Sequence, residues 1–211
     1  VLWALVAVMT GLYVWGHNTA QHANVRFQIN EVYGDAPAFR LTDQQGRAFS
    51  SEELAGKVWM ANFIYTRCGD ECPRMSGVLA NVANVLEKER LLGTHVHLVT
   101  ITVDPDYDTP ERLAAYSSLF GGDPRWWHFL TGERAYIEQI LTQGFHVTMI
   151  NRTVASLLGG VAHAHGTDDA GIEIIHSERI VVVDRDGVIR KYIDGLQTPP
   201  DEIVAQVKAY L

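Results

Sequence analysis

The stretch VWMANFIYTRCGDECPRM (58–75) joins a continuous run of β-branched and aromatic residues to a pair of cysteines and a proline. A run such as 58–66 is what a strand covered on both faces requires, so it predicts a buried strand. From Pro73 the period changes. Met75, Val78, Leu79, Val82, Val85 and Leu86 recur at three- and four-residue intervals, which predicts an amphipathic helix ending near Gly93. Cys68 and Cys72, the only cysteines of the chain, therefore fall at a strand-to-helix turn. A helix N-terminus offers unpaired N–H groups and a partial positive charge, both of which favour thiolate over thiol. Nucleophilic attack and metal ligation each need that thiolate. Dithiol oxidoreductases most often carry two residues between their cysteines. Three stand here, and on a continued helix that spacing brings both side chains to one face at i, i+4. The spacing favours ligation and leaves a disulfide open.

Outward from this turn, strand and helix alternate. AFRLTDQQGRAFS (38–50) carries two short alternating runs around Gln44-Gln45-Gly46, a hairpin signal, and SSEELAGK adds a turn of helix or loop. HVHLVTITVD (95–104) and WWHFLTG (126–132) predict further buried strands, while TPERLAAYSSLFG (109–121) and ERAYIEQILTQGF (133–145) predict helices. RIVVVDRDGVIRKYIDG predicts two strands around Asp186-Gly187, followed by a terminal helix in PDEIVAQVKAYL. The fold class is α/β, a mixed sheet flanked by helices. Residues 146–175 have no strong period and are long for a connection, so they are expected to be an insertion, a hairpin or loop over one face.

The 211 residues are 47% hydrophobic, enough to bury a full core without disulfide staples. A net charge of −8 with scattered Lys and Arg argues against nucleic-acid binding. VLWALVAVMTGLYVWG (1–16) has no charged residue and a Trp at either end, Trp3 and Trp15. It reaches roughly 24 Å against a hydrocarbon core of about 30 Å. The chain starts at Val1 rather than Met, so a few residues upstream are expected to complete an uncleaved transmembrane anchor. Residues 17–35 then form a tether and 36–211 the folded domain.

Two thiolates are an incomplete site for most metals. Of the nine histidines, His17 and His22 lie in the tether, and His95, His97 and His128 lie along strands as expected surface or core residues. His163 and His165 in VAHAHG have the spacing of a two-histidine metal grip, which loops also carry idly. His176, in IEIIHSERIVVVD, precedes a strand that a compact α/β sheet would set beside the cysteine-bearing strand. Two sulfurs and one imidazole select soft ions. Zinc would want a fourth ligand, whereas copper(I) tolerates three.

NFIYTRCGDECPRM, ITVDPDYDTPERLAAY, WWHFLTG and HSERIVVVDRDG, in that order, resemble the Sco/SenC family of thioredoxin-fold copper proteins that assist assembly of the dinuclear copper centre of cytochrome c oxidase. The resemblance spans about 35–211 together with the N-terminal anchor. It implies Cys68, Cys72 and His176 as copper ligands and a part for Asp70 in metal exchange. It also implies a partner, either the copper-site subunit of the oxidase or another copper-assembly protein. Two departures stand out: Gly69 where the family usually has proline, and Ile175 where an acidic residue often precedes the histidine, a role Glu173 or Glu178 could fill. In the Asp104–Pro110 segment, Asp104-Pro105 ends a strand, and Asp108 and Thr109 are natural helix caps.

Three functions compete. A membrane-tethered copper chaperone uses Cys68, Cys72 and His176, with its domain in a bacterial periplasm or the mitochondrial intermembrane space. A thiol–disulfide oxidoreductase needs only the two cysteines as catalytic groups, though no proline precedes RIVVVD where thioredoxin-like reductases carry one. A peroxide reductase is suggested because APAFRLTDQQGRAF also resembles the opening of peroxiredoxins, with Thr66 and Arg67 beside Cys68, but it leaves His176 without a role.

Overall fold

The computed structural model describes residues 32–147, 149–151, 172–174 and 178–211. The expected anchor in 1–16, most of the tether and most of the insertion lie outside them. Among the described residues no helix is long and apolar enough to cross a membrane.

Seven strands form one mixed sheet: β1 (Arg40–Asp43), β2 (Ala48–Ser50), β3 (Val58–Ile64), β4 (Val96–Thr102), β5 (Trp127–Thr131), β8 (Arg179–Val183) and β9 (Ile189–Asp194), in the order β2-β1-β5-β4-β3-β8-β9. The centre, β5-β4-β3, is parallel. The expected N-terminal hairpin joins antiparallel to β5 and the C-terminal hairpin antiparallel to β3. In the latter, Gly187 takes φ +81 at the turn, a left-handed conformation open to glycine without strain. Two short strands, β6 (Met149–Asn151) and β7 (Ile172–Ile174), pair antiparallel at the ends of the insertion, as the hairpin expectation requires.

β3 and β4 are buried along their whole length, which fits their largely apolar sequences, and the buried Thr100 hydroxyl donates to the Asn62 side chain between them at 2.6 Å. One face of the sheet, with Val58, Met60, Ile64, Leu98, Trp127 and Phe129, packs under α1 (Glu71–Lys88), α2 (Pro110–Ser118) and α4 (Pro200–Lys208). The other face, with Trp59, Phe63, Val99 and Ile101, is covered by Phe39, Leu41 and Phe49 of the hairpin region and by Ile137, Ile140, Leu141 and Phe145. Each such fully buried side chain contributes about 2 kcal/mol relative to exposure.

α1 ends at Lys88 rather than near Gly93, because Arg90 turns left-handed at φ 60, and a second helix also departs from its expected course. Instead of continuing through 133–145, α3 (Arg134–Gln139) passes into a wider π-type turn, Ile140–Gly144, closed by the Phe145 N–H on the Ile140 carbonyl at 3.0 Å. The wider turn lets Ile140, Leu141 and Phe145 all reach the core, with Phe145 edge-on to Trp59 at 6.0 Å. At the other end of the domain, Tyr33 and Ala36 already donate backbone hydrogen bonds to Ile189 and Gly187, so residues 33–36 follow the C-terminal hairpin.

Candidate metal centre

β3 delivers the chain to Tyr65 and α1 takes it up at Glu71, so the cysteines straddle the start of the helix rather than sharing a continued helical face. Cys68 lies before the first turn and half-buried; Cys72 is in the first turn and 3% exposed. The Cys72 N–H donates to the Cys68 sulfur at 3.3 Å. Asp70, at the cap position, makes no side-chain cap bond and is exposed. The sulfur of Cys68 thus takes the place a capping oxygen would hold, facing the positive end of an 18-residue helix.

This geometry separates the two thiols. Hydrogen bonding from the Cys72 side chain, helped by the N–H groups of Cys72 and Asp70 and by the Tyr65 hydroxyl, lowers Cys68 to about 6 against the opposition of burial. Cys72 moves the other way, pushed up because it donates to Cys68, because it is buried, and because Cys68 carries charge beside it. At neutral pH the metal-free pair is one thiolate and one thiol sharing a proton-mediated contact. A soft cation replacing that proton would gain two sulfur donors.

The turn is held from the neighbouring strand end. Asp108, fully buried, accepts from the Thr66 N–H at 3.1 Å, from the Thr66 hydroxyl, and from the Thr102 hydroxyl at 2.5 Å. It is no helix cap. Thr109 alone caps α2, accepting the Arg112 N–H at 3.4 Å, with Pro110 in the first turn as expected. Arg67 reaches away from the sulfurs to Asp104 at 2.5 Å and lies over the Tyr107 ring at 4.1 Å. Arg134 ties the same loop through Asp106 at 2.7 Å and Asp104 at 3.3 Å. Thr66 and Arg67, the residues that kept peroxide chemistry open, are therefore committed to Asp108 and Asp104, and Cys68 takes its hydrogen bonds elsewhere.

Of the sequence-predicted residues, Cys68 and Cys72 come together. His176, with His163 and His165, lies outside the described residues. Among the described residues no group of three or more His, Cys, Asp or Glu side chains is arranged to hold a metal. Glu178 sits in the turn leading into β8, whose strand runs antiparallel to β3 with Ala61 opposite Val181. Two participants were not legible. Nothing in the sequence marks the Tyr65 hydroxyl as a partner of Cys68, and Asp108 was visible only as a cap, although its recurrence with Asp104 in a loop after a buried strand was a usable signal.

Gly69 is exposed, and a Cβ there would meet nothing within 4 Å. Space therefore does not require glycine at this position.

A family model described as SCO1/SenC matches residues 30–211. The SCO1 protein homolog of Bacillus subtilis is 29% identical over 173 residues, 81% of this chain and 80% of the relative. Among solved structures, BsSco, described as a member of the Sco family of cytochrome c oxidase assembly proteins with a disulfide switch, superposes with a TM-score of 0.68 at 26% identity, covering 87% of this chain and 97% of the other. The copper-bound structure of Bradyrhizobium japonicum ScoI gives 0.65 at 28% identity, covering 84% and 99%.

Proposed function

The chain belongs to the SCO1/SenC family, and from that premise we propose that it is a copper-binding assembly factor for cytochrome c oxidase. It carries copper as cargo on Cys68 and Cys72, with His176 as the third ligand. The observation that carries this reading is the cysteine turn itself, where a thiolate at the head of α1 faces a second, buried thiol. Cys68, the more exposed sulfur, captures the ion. Cys72 then gives up its proton to become the second donor, so loading releases about one proton at neutral pH. The third ligand is supported by chain direction: β8 enters beside β3 at Arg179, three residues after His176, at the end of β3 from which the cysteine turn leaves.

Residues 1–16 anchor the domain in the inner membrane, 17–35 tether it, and 36–211 form the copper-binding domain in a bacterial periplasm or the mitochondrial intermembrane space. Its partner is the copper-site subunit of the oxidase or another copper-assembly protein. The test is a copper titration of the reduced chain alongside Cys68→Ser, Cys72→Ser and His176→Ala variants. Each variant should bind more weakly, and full binding by His176→Ala would remove that residue from the ligand set.

A second reading, thiol–disulfide exchange with the cysteines of a copper-site precursor, is favoured by the split between the two thiols. An ionised, half-exposed Cys68 suits attack on a disulfide, and protonated Cys72 suits resolution of the mixed disulfide. Turnover of a model disulfide that is unaffected by His176→Ala would favour this reading.

A further inference from the structure

At the other end of the parallel strands, His97 near the start of β4 and His128 near the start of β5 point their rings at each other. Both are buried, 5% and 7% exposed, and His97 Nδ1 lies 3.1 Å from His128 Nε2. The ring planes are 7° apart and the centroids 5.4 Å apart. That separation is the nitrogen contact plus two ring radii, so the two nitrogens face each other along the line joining the ring centres.

The partners fix the tautomers. His97 Nε2 sits 3.1 Å from the Gly93 carbonyl, which can only accept, so Nε2 carries the hydrogen and Nδ1 presents its lone pair inward. His128 Nε2 must then donate to it. His128 Nδ1, buried, has no hydrogen-bond partner among the described residues. His128 can therefore move its hydrogen from Nε2 to Nδ1 without losing a hydrogen bond at Nδ1, which leaves two lone pairs aimed at one point. An imidazole whose outer N–H is held by a backbone carbonyl is also the usual arrangement of a metal-ligating histidine.

We propose that His97 and His128 form a second metal site, which holds copper(I) between Nδ1 of one ring and Nε2 of the other in linear two-coordination. Copper(I) accepts two opposed nitrogen donors, whereas zinc would need further ligands that the described residues do not supply. Two metal–nitrogen bonds of about 2 Å need roughly 4 Å, so each ring withdraws by about half an ångström from its hydrogen-bonded position. No proton leaves the protein, since the hydrogen displaced from Nε2 of His128 stays on its Nδ1. Asp43 favours positive charge at His128, and Lys57 and Arg47 oppose it. Phe49, stacked on His128 at 4.2 Å, limits where that ring can move. The site uses neither cysteine and stands apart from the proposed thiolate centre.

The experiment uses the full chain with Cys68→Ser and Cys72→Ser, so that sulfur cannot mask nitrogen ligation. Copper(I), delivered from a competing chelator, is titrated while the ring nitrogens of the histidines are followed by NMR. We expect one equivalent to shift His97 Nδ1 and His128 Nε2 together, with the X-ray absorption edge of a two-coordinate ion. His128→Phe, which can still stack on Phe49, and His97→Gln should each weaken that equivalent at least tenfold. Unmoved His97 and His128 resonances at saturating copper(I) would overturn the site, as would copper retained equally by both variants. Should the variants fail to fold, the NMR titration alone decides, and either result leaves the thiolate centre untouched.

Discussion

The two ends of the central parallel strands make opposite electrostatic choices. At the C-terminal end of β3, the head of α1 and the hydrogen bonds around Cys68 stabilise an anion, and a ring of Asp and Arg side chains ties the loops around it. At the N-terminal ends of β4 and β5, two imidazoles sit buried and neutral, one pinned by the Gly93 carbonyl and the other by its neighbour. The difference follows from what the helix contributes. A helix N-terminus adds N–H donors and positive potential at the end where the strand stops, so a nucleophile or soft ligand ionises there readily. The far end lacks those donors, and burial holds its two imidazoles uncharged.

The largest effect that would break this contrast is loss of the sulfur pair. Cys68→Ser or Cys72→Ser should lower copper affinity by more than about 100-fold, beyond what loss of an outer partner of a ligand causes, as read by competition with a chelator. Next comes the brace. Asp108→Ala strands three donors in the interior, and at about 3 kcal/mol in all the melting temperature should drop by roughly 9 °C. Alkylation of Cys68 should slow or shift its pH midpoint in the same variant, which a purely global destabilisation would not produce.

Acid separates the two ends by pH. Burial, with the charge of His97 second, lowers His128 to about 4. Above pH 6.5 this costs no stability; as pH falls from 6.5 towards 4 the unfolded chain takes up a proton that the folded one refuses. Stability should fall by about 3 kcal/mol across that window. His128→Phe should flatten this acid limb in denaturant melts from pH 7 to 4. Cys68 responds over a higher range. Its lowered pKa stabilises the fold above the ordinary thiol value, and that contribution fades as pH falls through about 6, the midpoint at which its alkylation rate should halve in the reduced, metal-free chain. The smallest effect is at Gly69, where Gly69→Ala should stabilise by about 0.5 kcal/mol by restricting the unfolded chain, since no atom obstructs a Cβ there.

Much of the fold was legible because local patterns and burial agree. The largely apolar run at 58–64 is β3, the three- and four-residue spacing after Pro73 is α1, and the Asp186-Gly187 turn joins β8 to β9. What escaped depends on contacts distant in sequence. The π-type turn after Gln139 exists because Phe145 packs on Trp59 and Phe63, which no window around residue 140 contains. Asp108 looks like a helix cap until Thr66, 42 residues earlier, is brought beside it. His97 and His128 meet diagonally, because the parallel register sets His128 opposite Val99 rather than opposite His97. The cysteine turn was readable for a different reason: its strand, its helix start and both sulfurs lie within 18 consecutive residues, 58–75.

The central claim is that Cys68 and Cys72 are the copper donors at the anionic end of the sheet. It is tested most directly by X-ray absorption on the fully reduced chain loaded with one equivalent of copper(I). Two sulfur neighbours, with the signal collapsing in the Cys68→Ser, Cys72→Ser double variant, is the predicted result. A first equivalent with no sulfur neighbour, or one the double variant holds as tightly, would contradict it.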